Sequence, residues 1–303
     1  MTAAAHQPRQ AGNEPALAVI IPHYNDLTRL EKCLKALSPQ VPEHGVEVVV
    51  VDNGTTGGLG DLPHTFPQFR FVQEPEKGAA CARNRGVAET GAPNLLFLDA
   101  DCVPAAGWLA RGRELAGEDR VIGGRVDTFD ETPPPRSGAE AFEEVFAFRM
   151  QMYIEKKGFS GTGNLLTTRR VFAAAGPMVP GLSEDMDWCF RATAAGFALV
   201  YDDALAVGHP TRQDWPALKR KWRRTTDEGF YLNGTGLAAR LRWAVRAAAV
   251  LASVFPHLPV ILTSPKLRNG LERRRAAGTL IRLRAYRSIW MLRQAFGWDT
   301  VNR

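Results

Sequence analysis

Short apolar runs that end in carboxylates, separated by helical stretches, constrain this chain most. LAVIIP (17–22), VEVVVVD (46–52) and NLLFLDAD (94–101) are too short to span a membrane and carry no polar face. They read as strands buried on both sides. FRFVQE (69–74) reads as a fourth strand. Between them, 27–38 places Leu27, Leu30, Leu34 and Leu37 at helical spacing, with Asp26 or Thr28 as a cap, and 79–89 reads as a second helix. This alternation predicts an α/β fold, a mostly parallel sheet with helices on both faces. In such sheets ligands bind beyond the carboxyl ends of the strands, where this chain puts Asp52, Asp99 and Asp101.

Further on, 104–116 reads as a helix, 120–129 as a strand, ETPPPR (131–136) as a break and 139–156 as a helix. SGTGNLLTT (160–168) is a loop entering a strand. SEDMDWCFRATAAGF (183–197) is a helix capped by Ser183, followed by the strand ALVYDD (198–203). After His209 the chain turns basic and helical over 213–232, 237–255 and 271–296, with an apolar run at 247–263. The expected organisation is a mobile leader (1–15), an α/β domain (16–232) and a basic, partly apolar helical segment (233–303).

Charge sharpens that division. Residues 211–303 hold 19 Lys and Arg against 5 Asp and Glu, a balance of +14, while 1–210 hold 19 against 27, or −8. A basic segment on an acidic body points to an anionic partner. Trp222, Trp243, Trp290 and Trp298 among long apolar stretches suit an anionic membrane surface, and nucleic acid is not expected. Cys33, Cys81, Cys102 and Cys189 are scattered with no CxxC pair. That argues against structural zinc or a disulfide scaffold and suits a reducing, cytoplasmic setting. The first residues lack the apolar core of a secretion signal.

The candidate site residues each have a plain structural reading too. Asp99 and Asp101 form a DxD pair that suits a divalent cation bridging a diphosphate, or a solvated turn. Asp52 opens a glycine-rich loop, where it can hold a ribose or base, or close an Asx-turn. Lys77-Gly78 and Arg83-Asn84-x-Gly86 bring cations to a helix start between these acids. Glu184, Asp185 and Asp187 open a helix, where the dipole favours acids, yet one can act as a general base beside the GTGN loop. His209, in VGHPTR, is a structural histidine or a metal ligand. No GxGxxG follows the first strand and no GxxxxGK[ST] occurs, which weakens dinucleotide and P-loop readings.

AVIIPHYND, VVVDNGTTGG, EKGAACARNRG, LLFLDADCVP, GTGNLLTTRRVFAAAG, SEDMDWCFRATAAGF and VGHPTR together resemble family 2 glycosyltransferases, over roughly residues 17–230. The resemblance implies a GT-A fold and inverting transfer of one sugar from a nucleotide-diphosphate sugar, assisted by Mg2+ or Mn2+, to a glycan or lipid-linked acceptor. It implies donor-nucleotide contacts at Pro22, Tyr24, Asn25, Asp52, Arg83, Asn84 and Asp99. Asp101 and His209 would hold the metal, and Asp185 would be the catalytic base. Gly161, Gly163, Asn164, Glu184 and Trp188 would face the acceptor.

Two departures qualify the match. The glycine loop reads DNGTTGG where DDGS or DNGS is usual. The QxxRW motif of processive synthases is absent, since KRKWRR (219–224) has no suitably placed Gln, which favours single addition. The competing class is a non-catalytic sugar-nucleotide-binding component of a glycan assembly complex. The +14 segment and the run 247–263 predict peripheral attachment at the inner face of a membrane. That run has 17 residues and contains Pro256, His257 and Pro259, so shallow or re-entrant insertion is expected rather than a span.

Overall fold

The computed structural model describes residues 16–298 except Glu43 and Leu182. The leader expected at 1–15 lies outside the described residues. In chain order the elements are β1 (Leu17–His23), α1 (Leu27–Leu37), β2 (Val46–Asp52), the one-turn α2 (Leu62–Thr65), β3 (Arg70–Gln73), α3 (Ala79–Glu89), β4 (Asn94–Leu98), the short β5 (Val103–Pro104), α4 (Trp108–Glu114) and β6 (Val121–Phe129). Then come α5 (Gly138–Phe146), α6 (Met150–Lys157), β7 (Asn164–Thr168), α7 (Arg169–Ala175), α8 (Glu184–Ala194) and β8 (Leu199–Pro210). Four helices follow: α9 (Trp215–Asn233), α10 (Leu237–Ala252), α11 (Val254–Thr263) and α12 (Gly270–Phe296).

The chain forms two compact units. Among the described residues, the first comprises those up to Asp127 together with Phe148–His209, and the second comprises Thr128–Ala147 together with those from Pro210 on. The dividing line therefore falls elsewhere than at residue 232, where composition alone put it. The segment Thr128–Ala147 is recruited by the C-terminal helices through packing that local composition does not announce.

One eight-stranded sheet runs in the order β3-β2-β1-β4-β7-β6-β8-β5. β3, β2, β1 and β4 are parallel neighbours, as expected. β7 is antiparallel to both β4 and β6, and β5 is antiparallel to β8, so the sheet is mixed rather than mostly parallel. The apolar runs after residue 101 carry no periodicity that fixes strand direction, which is why the reversal was not legible. β1 also lies between β2 and β4, so Asp52 and Asp99 share the carboxyl edge but are one strand apart and not side by side.

Alternation along the inner strands accounts for their lack of a polar face. Leu17, Val19, Ile21, Val48, Val50, Leu96 and Leu98 pack with Leu30, Leu34 and Leu37 of α1 and with Trp108. Ala18, Ile20, Leu95 and Phe97 pack on the other face with Ala80 and Val87 of α3, Phe172 of α7 and Trp188 of α8. Asp26 caps α1 by accepting the Arg29 N–H at 3.3 Å. Gly86 lets α3 lie directly on β1, because a Cβ there would meet the Ile20 side chain. The expected helix 139–156 is broken at Phe148, whose φ is 51°.

The second unit is helical. Ala139, Phe142, Leu218, Leu267, Leu280 and Leu283 form one core, and Phe230, Trp243 and Met291 centre another. Buried Glu143 holds Lys221 at 2.7 Å and accepts the Arg212 N–H at 2.8 Å, which ties α5 to α9. α10 and α11 continue through Ser253, which is itself helical in φ and ψ. The resulting 27-residue stretch, Leu237–Thr263, is long and apolar enough to cross a membrane, and only 11% of its most apolar window is buried. Leu237, Leu241 and Val245, four residues apart, form an exposed stripe, and Phe255 is 81% exposed. The apolar helix thus starts ten residues before the run that suggested shallow insertion and passes through both prolines.

Candidate active site

The first unit gathers its chemistry at the carboxyl ends of β1, β2 and β4. Asp52 ends β2 and is 1% exposed. Its Oδ1 accepts the Thr55 N–H at 3.0 Å, which closes an Asx-turn, and lies 3.7 Å from His23 Nδ1. His23, buried at the end of β1, accepts the Asp26 N–H on Nε2 at 3.1 Å. Its Nδ1 faces Thr55 Oγ1 at 3.2 Å. Asn25 is left-handed, with φ 53°, and its Oδ1 accepts the Thr56 N–H at 2.8 Å. The two glycine-loop edges are thereby laced together.

Tyr24 projects from this frame, 55% exposed, with Lys77 Nζ 4.6 Å from its ring centroid. Lys77 Nζ also donates to the carbonyls of Asn53 and Gly54, at 2.9 and 3.2 Å. Pro22 is half-buried within β1.

Arg83 of α3 is the pivot of the acidic half. It is nearly buried, with Nη2 donating to Asp99 Oδ1 at 2.7 Å and Nη1 to Glu184 Oε1 at 3.2 Å. Burial alone would lower its pKa, but Asp99 and Glu184 outweigh that and hold it above the ordinary arginine value. The Asp99 N–H donates to the Gly163 carbonyl at 3.2 Å. The Asp99 carboxylate fills the space where a Gly163 Cβ would stand, 2.6 Å from Oδ2.

Asp185 is half-buried beside this pair. Its Oδ1 accepts the Met186 N–H at 2.8 Å, and its Oδ2 faces Gly161. Burial pushes its carboxyl up to about 6, aided by Glu184 and Asp99 and opposed by the Met186 hydrogen bond and by Arg83. Asp187 is bound by Arg191 of its own helix at 2.8 and 2.9 Å and so serves α8.

Asp101 and His209 meet from opposite parts of the unit, with Oδ2 and Nε2 3.2 Å apart. The Phe148 ring packs tilted against His209, ring centroids 4.5 Å apart and 38° from coplanar. His209 stands inside β8, which runs on to Pro210 past the expected end at 203. Among the described residues no group of three or more His, Cys, Asp or Glu is placed to hold a metal. A carboxylate and an imidazole are both ligand types that a Mn2+ or Mg2+ ion would accept there.

Three expected contacts are spent on structure. Asn164 is buried, accepts the Trp108 indole N–H at 2.9 Å and donates to the Arg125 and Leu205 carbonyls at 2.9 and 2.7 Å. These bonds tie β7 to α4, β6 and β8 and use both amide donors. Trp188 is fully buried and donates to the Gly176 carbonyl at 3.0 Å, so it too belongs to the core. Asn84 exchanges both amide groups with the Met178 backbone, at 2.8 and 2.9 Å, and so pins that loop. Conversely, sequence reasoning passed over His23, Thr55 and Phe148. A histidine at the end of an apolar strand was the only signal among them.

A family model described as glycosyl transferase family 2 matches residues 18–174. Glycosyltransferase AglE of Haloferax volcanii is 32% identical over 220 residues, covering 69% of this chain and 71% of that protein. Pre-mycofactocin glycosyltransferase of Mycobacterium tuberculosis is 26% identical over 236 residues, and the match spans 72% of this chain but 48% of that protein. In fold, the chain is similar to a mannosyltransferase of Pyrobaculum calidifontis solved with GDP-Man and Mn2+ (TM-score 0.56, 16% identity, 92% of this chain and 88% of that one).

Proposed function

The chain belongs to glycosyl transferase family 2 and is a glycosyltransferase, and on that footing we propose that it transfers one sugar, with inversion, from a nucleotide-diphosphate sugar to a hydroxyl of a glycan or lipid-linked acceptor. The observation that carries this reading is Asp185: a half-buried carboxyl, raised to about 6, set among Glu184, Arg83 and Asp99 at the sheet's carboxyl edge.

Asp185, ionised at neutral pH, accepts the proton of the attacking hydroxyl. The hydroxyl oxygen bonds to the anomeric carbon as the bond from that carbon to the diphosphate oxygen breaks, and the nucleoside diphosphate leaves with the electron pair. Arg83 acts by fixing Asp99 and Glu184, so the acids around the reaction are held before substrate arrives. The exposed Tyr24 ring offers a stacking face for the base, and Asp52, set by Thr55 and His23, lies at the loop edge for the nucleoside. Asp101 and His209 would hold Mg2+ or Mn2+, which when bound neutralises charge on the leaving diphosphate. The Mn2+ and GDP-Man in the similar mannosyltransferase support the choice of cofactor class and donor class.

The enzyme works from the cytoplasmic face of a membrane. Support comes from the +14 balance after residue 210 and from the exposed stripe of Leu237, Leu241 and Val245. The test of the central reading is a panel of nucleotide sugars, with nucleoside diphosphate release and the anomeric configuration of the product both measured. Inversion with one sugar added per acceptor is expected. Retained configuration, or no release with any donor, overturns it.

A further inference from the structure

Where α9, α10 and α12 meet in the second unit, three arginines gather that no carboxylate holds. Arg284 and Arg287 are three residues apart on α12 and so share a face. The Arg287 guanidinium lies 4.3 Å from the ring centroid of Trp222 on α9, and that of Arg284 lies 6.0 Å from the same centroid. Arg246 of α10 is close enough to repel Arg287, and it also lies 5.4 Å from the Trp243 ring. Arg287 Nε donates to Thr226 Oγ1 at 3.2 Å. Among the described residues no carboxylate pairs with Arg246, Arg284 or Arg287. The nearby acids are engaged elsewhere: Asp227 accepts from Trp290 Nε1 and Gln294 Nε2, both at 2.6 Å, and Glu228 faces Arg224 at 3.7 Å.

A second, independent observation marks the same place. Arg284 Nε and Trp222 Nε1 are buried donors with no partner. Buried N–H groups and cations left unpaired are costly, and each calls for a partner. The cost is visible in the arginines themselves. Burial pushes both α12 guanidinium groups below the usual arginine range, Arg287 to about 10, with repulsion from Arg284 and Arg246 adding to it.

We propose that Arg246, Arg284, Arg287 and the Trp222 indole N–H bind the phosphate group of a membrane lipid. A planar guanidinium fork matches phosphate oxygens, and an indole N–H supplies a further donor. The choice of a lipid rather than a soluble phosphate rests on the membrane reading above. Arg246 directly follows Val245, the third member of the exposed stripe, so the cationic cluster and an apolar helix face adjoin on one element. Basic pockets of this kind beside membrane-facing helices hold anionic head groups.

The experiment uses the full chain and R284Q/R287Q, with R242Q/R274Q as a charge-matched control at two exposed arginines of the same segment. Without divalent metal, inorganic pyrophosphate should raise the Tm of the parent, of the control and of D101A by at least about 2 °C, and leave R284Q/R287Q unmoved. In the absence of anion, R284Q/R287Q should melt no lower than the parent, which shows that it folds. Binding to phosphatidylcholine vesicles containing phosphatidic acid should fall at least about tenfold further in R284Q/R287Q than in the control. An equal fall in both variants reduces the effect to bulk charge and overturns the site. A pyrophosphate shift confined to the cluster, without a cluster-dependent loss on vesicles, makes the ligand soluble and overturns the lipid assignment. Failure of vesicle binding by every form overturns the membrane reading while the pyrophosphate arm still judges the cluster.

Discussion

Arg83 and Asp99 are joined at 2.7 Å, and the same guanidinium reaches Glu184 at 3.2 Å, so one nearly buried cation spans from the end of β4 to the start of α8. In sequence, Asp99 and Glu184 stand 16 and 101 positions from Arg83. Their meeting sets one guanidinium against two of the acids at the carboxyl edge, halving the charge that they would otherwise concentrate there.

Replacing Arg83 by Met should leave Asp99 and Glu184 uncompensated. Removing one partner of a buried pair costs about 3–5 kcal/mol. Part of that is recovered here because both acids are partly exposed, so a loss of about 2–3 kcal/mol is expected in urea unfolding, with kcat down at least about 10²-fold. Arg83→Lys should recover stability better than activity, since an ammonium cannot serve both acids in one plane.

Asp185→Asn should lower kcat by about 10²–10⁴-fold while donor affinity, read by calorimetry, stays near the parent value. The parent's kcat should rise with pH through about 6, and the variant's should be flat there. Stability follows the same titration. The folded-state pKa lies above the ordinary carboxyl value, so this group's contribution is fully present below about 4 and is lost as pH rises through about 6. The Asn variant should therefore unfold at higher urea than the parent at pH 7.5, by about 1 kcal/mol, and show no such gain at pH 4.

Asp101→Ala and His209→Ala should each shift the Mn2+ concentration needed for half-maximal transfer upward by at least about tenfold, with Tm changed by only a few degrees. An unchanged metal titration in both variants would remove this pair from the metal site.

Gly163→Ala tests the close packing around Asp99. The new methyl group falls 2.6 Å from Asp99 Oδ2, so the carboxylate must move off Arg83. A kcat loss of about tenfold or more is expected, with little change in the melting profile. Asn164→Ala, one residue away, should do the reverse. It strands a buried indole N–H and two carbonyls, which costs about 2–4 kcal/mol, while the folded fraction keeps its kcat.

That contrast shows what the residues alone could and could not disclose. The parallel half of the sheet and the edge carrying Asp52, Asp99 and Asp101 were legible, because continuous apolar runs ending in acids leave few alternatives. The standing of Asn164, Trp188 and Asn84 was not. A motif position says that a side chain is near a site, and whether its polar atoms face substrate or backbone depends on segments 12 to 94 residues distant in the chain. The antiparallel entry of β7 and the recruitment of Thr128–Ala147 into the second unit were hidden for a related reason. Both are decided by long-range packing, and neither alters local periodicity. The reach of the apolar helix back to Leu237 was masked by Arg240, Arg242 and Arg246, which break the run in sequence but leave the stripe of Leu237, Leu241 and Val245 intact on the helix surface.

The reciprocal clamp of Asn84 on the Met178 backbone has a kinetic consequence when set beside its neighbour Arg83. Consecutive residues of one helix grip the two ends of a single loop, Asn84 at Met178 and Arg83 at Glu184. Opening that loop at either end tugs on the same turn of α3, so the two grips should let go together. In amide hydrogen exchange, the Met178 N–H, which is held by Asn84, should exchange with the same opening free energy as the amides at the start of α8. Between them the exposed Val179 should exchange at nearly the rate of a free peptide. Asn84→Ala should uncouple the pair, with Met178 exchanging faster while the start of α8 keeps its protection.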